Sequence, residues 1–508
     1  MFSASPNLSK ENFLKLVSEN GVPPLYREIP YCEPAALYEA FAPGPNSILF
    51  ESLKGGGKIA GHSFFAFGPY ITVSVKNSEV RVTSDTGSSV SFRPPLERLK
   101  ELVLAYPQLA DKDLPPFQGG AAGLLCYDFV RYIENIPASA VDDLKIPDAH
   151  FMLFDKVAAF DHRMKKAWMI ISPGAEKTEL GYKDAGQIDW ALAYDEALEV
   201  LNKCCEIAGS AELSVAPPVA GLLRKNPAVR HEMSKEQYMG MVVRAKEYIA
   251  AGDIFQANLS QRISADVQGV KPWLIYKTLR SINPSPFAVY ADFGEYQIVS
   301  SSPERLVNVN EGIVETRPIA GTRPRGRDTG EDETMRADLL LNEKERAEHI
   351  MLIDLERNDI GRVCEYGSVN VDELMITEDY SHVIHIVSNV KGTIRKDKTC
   401  FDVIKAVFPG GTITGVPKVR CMEIIDELEP VARGPYTGSI GYIGFSKNMD
   451  MNIIIRTFLI KDGTAYVQAG AGIVADSDPE REYYETLKKA EALLTTLETL
   501  PDSIGPEL

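Results

Sequence analysis

Alternation of apolar and polar residues predicts many short antiparallel strands. Residues 71–82 alternate with period two on both sides of Asn77-Ser78, and a second hairpin is predicted to turn at Asp462-Gly463. A helical spacing of apolar residues follows the capping-box sequence Ser234-x-x-Gln237. Strands grouped in hairpins with helices beside them indicate an antiparallel α+β fold rather than a doubly wound parallel sheet.

Turn and breaker residues divide the chain into three predicted regions. Strands and short helices fill residues 1–175, a helix and a linker containing Pro217-Pro218 fill residues 176–230, and residues 231–500 hold the remaining strands and helices. A glycine cluster at residues 118–128 lacks both phosphate-binding patterns, GK[ST] and GxGxxG. It is better explained by two backbones that approach each other closely.

Composition narrows the class of protein. The 508 residues include 54 Lys and Arg against 71 Asp and Glu, a net charge of −17, which argues against a nucleic-acid-binding surface or a polybasic membrane anchor. No apolar run reaches the roughly 18 residues of a membrane helix. The N-terminus has no basic segment followed by an apolar one, and the seven cysteines are scattered without a CxxC pattern. Together these observations predict a cytoplasmic protein.

Two predicted helices each carry a pair of glutamates three residues apart. Glu345 and Glu348 form the first pair, and Glu482 and Glu485 form the second. The spacing places each pair on one helix face, and two such faces could together hold a Mg²⁺ ion that an anionic substrate also binds. Glutamates are common on solvated helix faces, so the spacing alone leaves that alternative open.

Four further features carry candidate chemistry. His385 lies in an apolar, strand-like segment, where both a packed core residue and a catalytic base are consistent with the sequence. Residues 408–418 combine glycines, hydroxyl groups and a lysine, as in an anion-binding loop or a tight turn. Residues 468–473 form a glycine loop before the last helix, whose N–H groups could hold a carboxylate. Arg456 lies mid-strand among apolar residues and needs an anion, from a ligand or from a structural carboxylate.

The order of these motifs resembles that of the chorismate-utilising enzymes. The matching segments within roughly residues 235–495 are 302–306, 317–325, 348–359, 385–388, 408–418, 438–444 and 470–489. Residues 48–52 and 119–128 extend the resemblance into the N-terminal region. The resemblance implies a large, mostly antiparallel β-sandwich core with helices packed on the outside. It also implies a regulatory region over residues 1–175 and a chorismate-binding catalytic region over residues 231–500.

Two positions in the sequence indicate which nucleophile is expected to add to chorismate. In relatives that make 4-amino-4-deoxychorismate, the variable position of Pro-Ile-x-Gly-Thr is typically a nucleophilic lysine, whereas here it is Ala320. Isochorismate and salicylate synthases carry a lysine base where this chain has Gln256. Water activation is therefore disfavoured, and ammonia is the expected nucleophile.

Within the family, the sequence most resembles the large subunits of anthranilate synthase. This resemblance implies conversion of chorismate and ammonia to anthranilate and pyruvate, the first committed step of tryptophan biosynthesis. An aminodeoxyisochorismate synthase or another chorismate-aminating enzyme is one alternative. A sensor that has lost catalysis and keeps only a tryptophan pocket is another.

The resemblance also assigns a ligand set for Mg²⁺. Glu348 and Glu485 would ligate the ion directly, and Glu345 and Glu482 would orient its waters, so that the metal neutralises the ring carboxylate of chorismate. The other implied substrate-binding residues are Lys489 and Gly472 at the ring carboxylate, with Gly470 and Ala471 in the same segment, Arg456 and Tyr436 at the enolpyruvyl carboxylate, and Thr322, Gly321 and Thr412 along the ring.

The implied chemistry needs an acid and a base. Glu304 is the expected general acid for departure of the C4 hydroxyl group, provided that burial keeps it protonated near neutral pH. His385 is the expected base for removal of the C2 proton, and Thr412 is counted with these catalytic residues.

The ammonia must come from another protein or from solution. No cysteine lies in a GxCxG-type elbow, so we expect a separate glutamine amidotransferase small subunit, component II, and therefore a hetero-oligomer.

A regulatory site is implied by residues 49–52, Leu-Phe-Glu-Ser, which resemble the LLES motif of relatives inhibited by tryptophan. Phe50 departs from the second leucine of that motif. Glu51 and Ser52 would bind the amino group of tryptophan, and the residues expected to close the pocket are Pro286, Phe287 and Ala288. A plain buried strand over residues 48–53 is the alternative.

Overall fold

The computed structural model describes residues 5–53, 61–178, 188–210, 228–379 and 383–500. Within these ranges the chain forms eleven α-helices: α1 Lys10–Glu19, α2 Pro34–Phe41, α3 Pro95–Leu104, α4 Trp190–Ser210, α5 Lys235–Ala251, α6 Pro272–Ile282, α7 Thr329–Leu341, α8 Glu343–Gly361, α9 Cys400–Val407, α10 Lys418–Leu428 and α11 Pro479–Thr499. In the same ranges, no helix combines the length and the apolar character needed to cross a membrane.

The described residues also form 24 strands. They are β1 Leu25–Ile29, β2 Ser47–Glu51, β3 His62–Phe67, β4 Ile71–Lys76, β5 Glu79–Ser84, β6 Gly87–Ser91, β7 Gly120–Leu125, β8 Ala149–Phe154, β9 Lys156–Asp161, β10 Lys166–Ile171, β11 Val229–His231, β12 Gln256–Asp266, β13 Phe287–Asp292, β14 Tyr296–Ser302, β15 Arg305–Asn310, β16 Ile313–Thr316, β17 Ile319–Pro324, β18 Asn370–Asp379, β19 Val383–Thr393, β20 Gly415–Val416, β21 Ser439–Gly444, β22 Met449–Ile453, β23 Thr457–Lys461 and β24 Thr464–Ile473.

These strands build two large sheets. The first sheet has the order β1-β10-β9-β3-β2-β13-β14-β23-β24-β12-β11, with β20 paired to β12. The second has the order β17-β19-β16-β15-β22-β21-β7-β8-β4-β5-β6, with β18 paired to β19. Neighbouring strands run antiparallel, as in the long ladder between β12 and β24.

An apolar layer lies between the two sheets. One buried cluster combines Val289 of β13 and Ile298 of β14 from the first sheet with Ala122 of β7, Met152 of β8 and Ile440 of β21 from the second. Side chains alternate across a strand, so the intervening residues face the other side of each sheet, where helices such as α4 and α11 pack on β10 and β24. The fold is therefore a mostly antiparallel β-sandwich with helices outside, as predicted.

The local turn and cap predictions are also confirmed. Asn77 and Ser78 have φ angles of +48° and +66° between the paired strands β4 and β5, which suits the tight right-twisted hairpin turn. Asp462 and Gly463 have φ angles of +50° and +73° between β23 and β24. At the start of α5, Ser234 and Gln237 form the reciprocal capping box.

Both sheets contain strands from both strand-rich regions of the chain. β2 pairs with β13 in the first sheet, and β7 pairs with β21 in the second. The glycine cluster lies at the second junction, where a β-carbon at Gly120 would lie 2.4 Å from the carbonyl oxygen of Ile443, and one at Gly123 would lie 2.1 Å from that of His150. The predicted close approach of backbones is confirmed. The regulatory and catalytic roles assigned to the two regions stay predictions.

We predict that Gly123→Ala lowers the free energy of unfolding by about 1–3 kcal/mol, because the added methyl group forces β7 and β8 apart. Gly240→Ala is the matched control: Gly240 lies in the interior of α5 with no atom within 4 Å of its would-be β-carbon. That change is expected to be neutral or to stabilise by up to about 1 kcal/mol. Chemical denaturation measures both, and equal stabilities of the two variants would contradict the prediction.

Candidate active site

The site is built where the chain passes between the sheets. After β14 of the first sheet, the chain crosses to β15 of the second through Glu304, and after β22 of the second it returns to β23 of the first through Arg456. The two crossings are hydrogen-bonded side by side: Ile453 N donates to the carbonyl of Glu304 at 3.0 Å, and Ser301 N donates to that of Arg456 at 3.1 Å. An acidic and a basic residue are thereby fixed next to each other.

Glu304 is a buried carboxyl group held by one hydroxyl group. Its side chain is 7% exposed, and Thr412 Oγ1 donates to its Oε1 at 2.8 Å. Burial raises the pKa of Glu304 to about 7, although Thr412, Arg456 and Lys489 each act to lower it. Such a group carries its proton for a large part of the time at neutral pH, as a general acid requires.

Arg456 is not in the middle of a strand, so that prediction was wrong. It has a φ angle of +51° and lies just before β23, where the chain turns from one sheet to the other. Its charge lowers the pKa of both Glu304 and His385, which places the guanidinium group near the candidate acid and the candidate base.

His385 is a buried imidazole on β19. Its Nδ1 lies 3.3 Å from the carbonyl oxygen of Gly321, in a ladder that pairs Thr322 with His385 and bulges at Gly321. Burial, followed by the charge of Arg456, lowers the pKa of His385 to about 4, against a small opposing effect of the Gly321 carbonyl. The imidazole is neutral at pH 7 and can accept a proton. The side chain of Thr322 lies outside the described part of the structure.

The segment with Gly470, Ala471 and Gly472 is part of β24 and not a loop, which corrects the sequence-based prediction. It pairs with β12 over its whole length. Its glycines leave room for neighbouring side chains: a β-carbon at Gly470 would lie 2.8 Å from the Tyr436 hydroxyl group, and one at Gly472 would lie 2.4 Å from Nε2 of Gln256.

Lys489 of α11 lies against the same strand. Its Nζ donates to the carbonyl of Gly470 at 3.0 Å and pairs with Glu485 Oε1 at 2.8 Å. Because the charge of Lys489 also lowers the pKa of Glu304, the structure brings the predicted anion-binding lysine close to the predicted acid.

Tyr436 is held by a buried ion pair that the sequence did not reveal. Arg433 donates to both carboxylate oxygens of Glu429, at 2.9 Å and 2.7 Å, and its guanidinium group stacks near the rings of Tyr436 and Tyr127. Arg433 also donates to the carbonyl of Asn258 at 2.6 Å. This pair fixes the ring of Tyr436 against β12 and β24.

The predicted metal ligands lie on the predicted helices. Glu345 and Glu348 are on α8, and Glu482 and Glu485 are on α11. Glu345 Oε1 accepts from Arg323 at 2.7 Å, whereas its buried Oε2 has no hydrogen-bond partner. Among the residues that the structure describes, no three His, Cys, Asp or Glu side chains converge as a ready-made metal cluster. The unfilled oxygen of Glu345 is a ligand of the kind that Mg²⁺ takes, so this residue fits the ion, and the magnesium site itself stays a prediction.

The residues of the predicted regulatory site lie together at the β2–β13 junction. Ala288 pairs with Glu51, and Ser52 Oγ donates to the carbonyl of Pro286 at 3.0 Å, next to Phe287. Glu51 is fully buried and accepts from Tyr276 at 2.6 Å and from Arg280 at 3.1 Å. Burial raises the pKa of Glu51, and Arg280 lowers it. The strand is buried, and the carboxylate of Glu51 already has two partners, so tryptophan binding there stays a prediction.

The loop at residues 408–418 forms a turn around Thr412. Thr412 lies in the short 3₁₀ helix Gly411–Ile413, and Lys418 at the end of the loop pairs with Asp359 at 2.5 Å. Sequence reasoning missed the buried carboxyl groups of Glu356 and Asp359 on α8. Their helical spacing with the buried residues Leu352, Ile353 and Ile360 was the signal that marked them as inward-facing.

The comparisons with known proteins agree with this geometry. The family described as chorismate binding enzyme matches residues 46–495, and the chain therefore belongs to this family of enzymes. Anthranilate synthase component 1 of Acetivibrio thermocellus is 46% identical over 468 residues, which are 92% of each chain. Aminodeoxychorismate synthase component 1 of Bacillus subtilis (strain 168) is 42% identical over 480 residues, 94% of this chain and 97% of the relative. The crystal structure of anthranilate synthase component I from Streptococcus pneumoniae TIGR4 has a TM-score of 0.74 at 37% identity, covering 87% of this chain and 95% of that one.

Thr412→Val tests the assignment of the hydrogen bond to Glu304. Removing the donor leaves the ionised carboxylate less stabilised, so we expect the pKa of Glu304 to rise above its value of about 7. Infrared titration of the protonated carboxyl band measures the shift. Thr83→Val, on the exposed face of β5, is the control and should leave the titration unchanged. A lower pKa in Thr412→Val would contradict the assignment.

Proposed function

We propose that this chain is the chorismate-aminating subunit of an anthranilate synthase, converting chorismate and ammonia to anthranilate, pyruvate and water. The observation that carries the proposal is the buried carboxyl group of Glu304, which has a pKa of about 7 and is acted on by the charges of Arg456 and Lys489. The charge of Arg456 also acts on the neutral imidazole of His385. A proton donor, a proton acceptor and two cations suit a dianionic substrate that must lose a hydroxyl group and then a proton.

Substrate binding would rest on the two cations and the metal. Arg456 and Tyr436 would bind the enolpyruvyl carboxylate, and Lys489 with the backbone of Gly472 would bind the ring carboxylate. Mg²⁺ would be held by Glu348 and Glu485, with Glu345 and Glu482 orienting its waters, and would neutralise the charge of the ring carboxylate. Because the carboxylate of Glu485 pairs with Lys489 at 2.8 Å, a bound ion and substrate would compete with this salt bridge.

The first step would replace oxygen by nitrogen. Ammonia forms a bond to ring C2 while the C4–oxygen bond breaks, and the proton of Glu304 passes to the departing hydroxyl group, which leaves as water. The proton released from the new ammonium nitrogen balances the one that Glu304 supplied.

The second step would produce the aromatic ring. The neutral imidazole of His385 accepts the C2 proton, the C3–oxygen bond to the side chain breaks, and the enolpyruvate takes up a proton to become pyruvate. Aromaticity makes this step favourable. His385 is uncharged in its buried position, as a base must be, and its lowered pKa of about 4 makes it a weak base for this proton.

The cysteines support a separate source of ammonia. Six of the seven described cysteines are buried and the seventh, Cys205, is half-buried. Burial raises the pKa of all seven thiols, to about 11 for Cys32 and Cys364, which suppresses the thiolate that glutamine hydrolysis needs. We therefore propose that a component II amidotransferase supplies ammonia from glutamine.

A second candidate function is another chorismate amination, including the formation of 2-amino-2-deoxyisochorismate without loss of pyruvate. The observation that favours this second candidate is the 42% identity to aminodeoxychorismate synthase component 1 of Bacillus subtilis. Ala320, where a nucleophilic lysine is typical of the 4-amino products, favours the first proposal. The fluorescence of anthranilate separates the two, because the amino intermediates are not aromatic.

The purified chain is expected to form fluorescent anthranilate from chorismate, Mg²⁺ and ammonium, and not from glutamine in place of ammonium. Glu304→Gln should reduce the rate by at least about 100-fold, because Gln cannot supply the proton. Asp85→Asn, an exposed change on the loop after β5, is the control. A non-fluorescent amino product, or full activity of Glu304→Gln, would contradict the proposed reaction.

We further propose that tryptophan inhibits the enzyme at the β2–β13 junction, which is supported by the hydrogen bond from Ser52 to Pro286. Ser52→Ala removes one hydrogen bond from the pocket and should raise the half-inhibitory tryptophan concentration roughly tenfold while leaving the uninhibited rate unchanged. Ser88→Ala, on the exposed strand β6, is the control. Unchanged inhibition of Ser52→Ala would place the effector elsewhere.

A further inference from the structure

One edge of β12 lacks a neighbouring strand over residues 258–262. On that edge β20 pairs with residues 256–257 and β11 pairs with residues 263–265, and none of the described strands pairs with the stretch between them. The other edge of β12 pairs continuously with β24, which carries Gly470 and Gly472. The backbone groups in the gap therefore need partners that are not a strand.

Arg433 and Glu429 fill this gap as a buried ion pair. Each of the two residues is 3% exposed. Arg433 Nη2 donates to the carbonyl of Asn258 at 2.6 Å, and Glu429 Oε1 accepts from the backbone N–H of Ser260 at 2.8 Å. The ion pair thus takes the hydrogen-bonding place of a neighbouring strand, directly behind the part of β12 that lies against the glycines of β24.

The guanidinium group of Arg433 also reaches the Thr412 turn. Its Nη1 donates to the carbonyl of Ile413 at 3.3 Å and to the hydroxyl group of Thr437 at 3.1 Å. Together with the bonds to Glu429 and to β12, each of its five N–H groups has an acceptor. A lysine could not reproduce this arrangement, because its ammonium group has three donors and no planar fork.

The Thr412 turn is held against β12 at two consecutive carbonyls. The guanidinium group binds the carbonyl of Ile413, and the backbone N–H of Asn258 donates to the carbonyl of Thr414 at 2.9 Å. Thr412 directly precedes these two residues, and its hydroxyl group donates to Glu304 at 2.8 Å. A shift of the turn away from β12 would therefore move the hydroxyl group that supports the candidate acid.

The ring of Tyr436 lies near the same guanidinium group. The ring centres of Tyr127 and Tyr436 lie 4.7 Å and 5.6 Å from Cζ of Arg433, within the range of cation–π attraction. The backbone N–H of Tyr436 also donates to the carbonyl of Arg433 at 3.2 Å. One side chain thus contacts both the turn that supports Glu304 and the candidate anion-binding tyrosine.

We propose that Arg433 is a positioning residue for the proposed reaction: its guanidinium group holds the Thr412 turn and the ring of Tyr436 at a fixed spacing along β12, so that the proton donor and the anion-binding tyrosine act on the same substrate molecule. This inference rests on the proposed roles of Glu304 and Tyr436. Arg433 is buried behind these groups and acts through them.

The test is Arg433→Lys, which keeps a positive charge but loses the fork. Without the bond to Ile413, the hydroxyl group of Thr412 is less well placed, so the pKa of Glu304 should rise, as in Thr412→Val. We expect kcat to fall about tenfold, and KM for chorismate to rise roughly fivefold because Tyr436 loses its support. Infrared titration of the substrate-free protein and steady-state kinetics measure these changes.

A double variant separates positioning from a general loss of stability. If Arg433 acts on Glu304 through Thr412, the pKa of Glu304 in Thr412→Val/Arg433→Lys should equal that in Thr412→Val alone. A thermal melt shows whether Arg433→Lys folds. If it does not, Thr437→Val is the milder variant: it keeps the ion pair but removes one of the two acceptors of Nη1, so the same changes should appear at smaller size.

Arg262→Lys is the matched control. Arg262 is 5% exposed, lies on the same strand β12, pairs with Glu232 at 2.7 Å and with Asp143, and has the ring centre of Tyr466 at 5.5 Å. None of these partners belongs to the candidate active site. The titration of Glu304, kcat and KM should therefore match those of the unmodified chain.

The two proposals fail in different ways. An unchanged titration of Glu304 in a folded Arg433→Lys variant overturns the inference, as does an unchanged KM for chorismate. Additive shifts of Thr412→Val and Arg433→Lys overturn it as well, because the two residues would then act independently. If the unmodified chain makes no anthranilate, the proposed function fails, while the infrared titration still decides whether Arg433 acts through the turn.

Discussion

Two adjacent crossings between the sheets determine the arrangement of the site. The chain leaves the first sheet after β14 and returns to it before β23, and the hydrogen bonds from Ile453 to Glu304 and from Ser301 to Arg456 hold these passages together. Residues at a crossing belong to neither ladder, so their side chains are directed by the change of sheet and not by strand alternation. A buried acid and a half-buried arginine can therefore lie next to each other between the two sheets.

The free-energy cost of burying a charged group determines the protonation states of Glu304 and His385. The rise in the pKa of Glu304 from 4.5 to about 7 corresponds to about 3 kcal/mol in favour of the protonated form. The same burial keeps His385 neutral, because the imidazolium is disfavoured both by desolvation and by Arg456. A single low-dielectric environment thus keeps one group protonated and the other uncharged.

Local features of the sequence predicted local features of the structure. Asn77-Ser78 and the Ser234–Gln237 capping box depend only on neighbouring residues, and both predictions were right. The predicted strand through Arg456 was wrong because the apolar residues on both sides of it belong to strands of different sheets, a fact that depends on the whole fold. Glu356 was missed for a related reason: helical spacing shows that it faces inward, but not that it lies beside Gly411, which is 55 positions later in the chain.

The exchange of strands between the two halves has an evolutionary consequence. Since β2 pairs with β13 and β7 pairs with β21, neither half can be removed without leaving two long open sheet edges, which are sites of aggregation. Recombination that moved the C-terminal half alone would expose both of these edges. A substitution in β2 or β7 alters the contacts of the C-terminal strand that pairs with it, β13 or β21. The two halves are therefore expected to evolve as one unit.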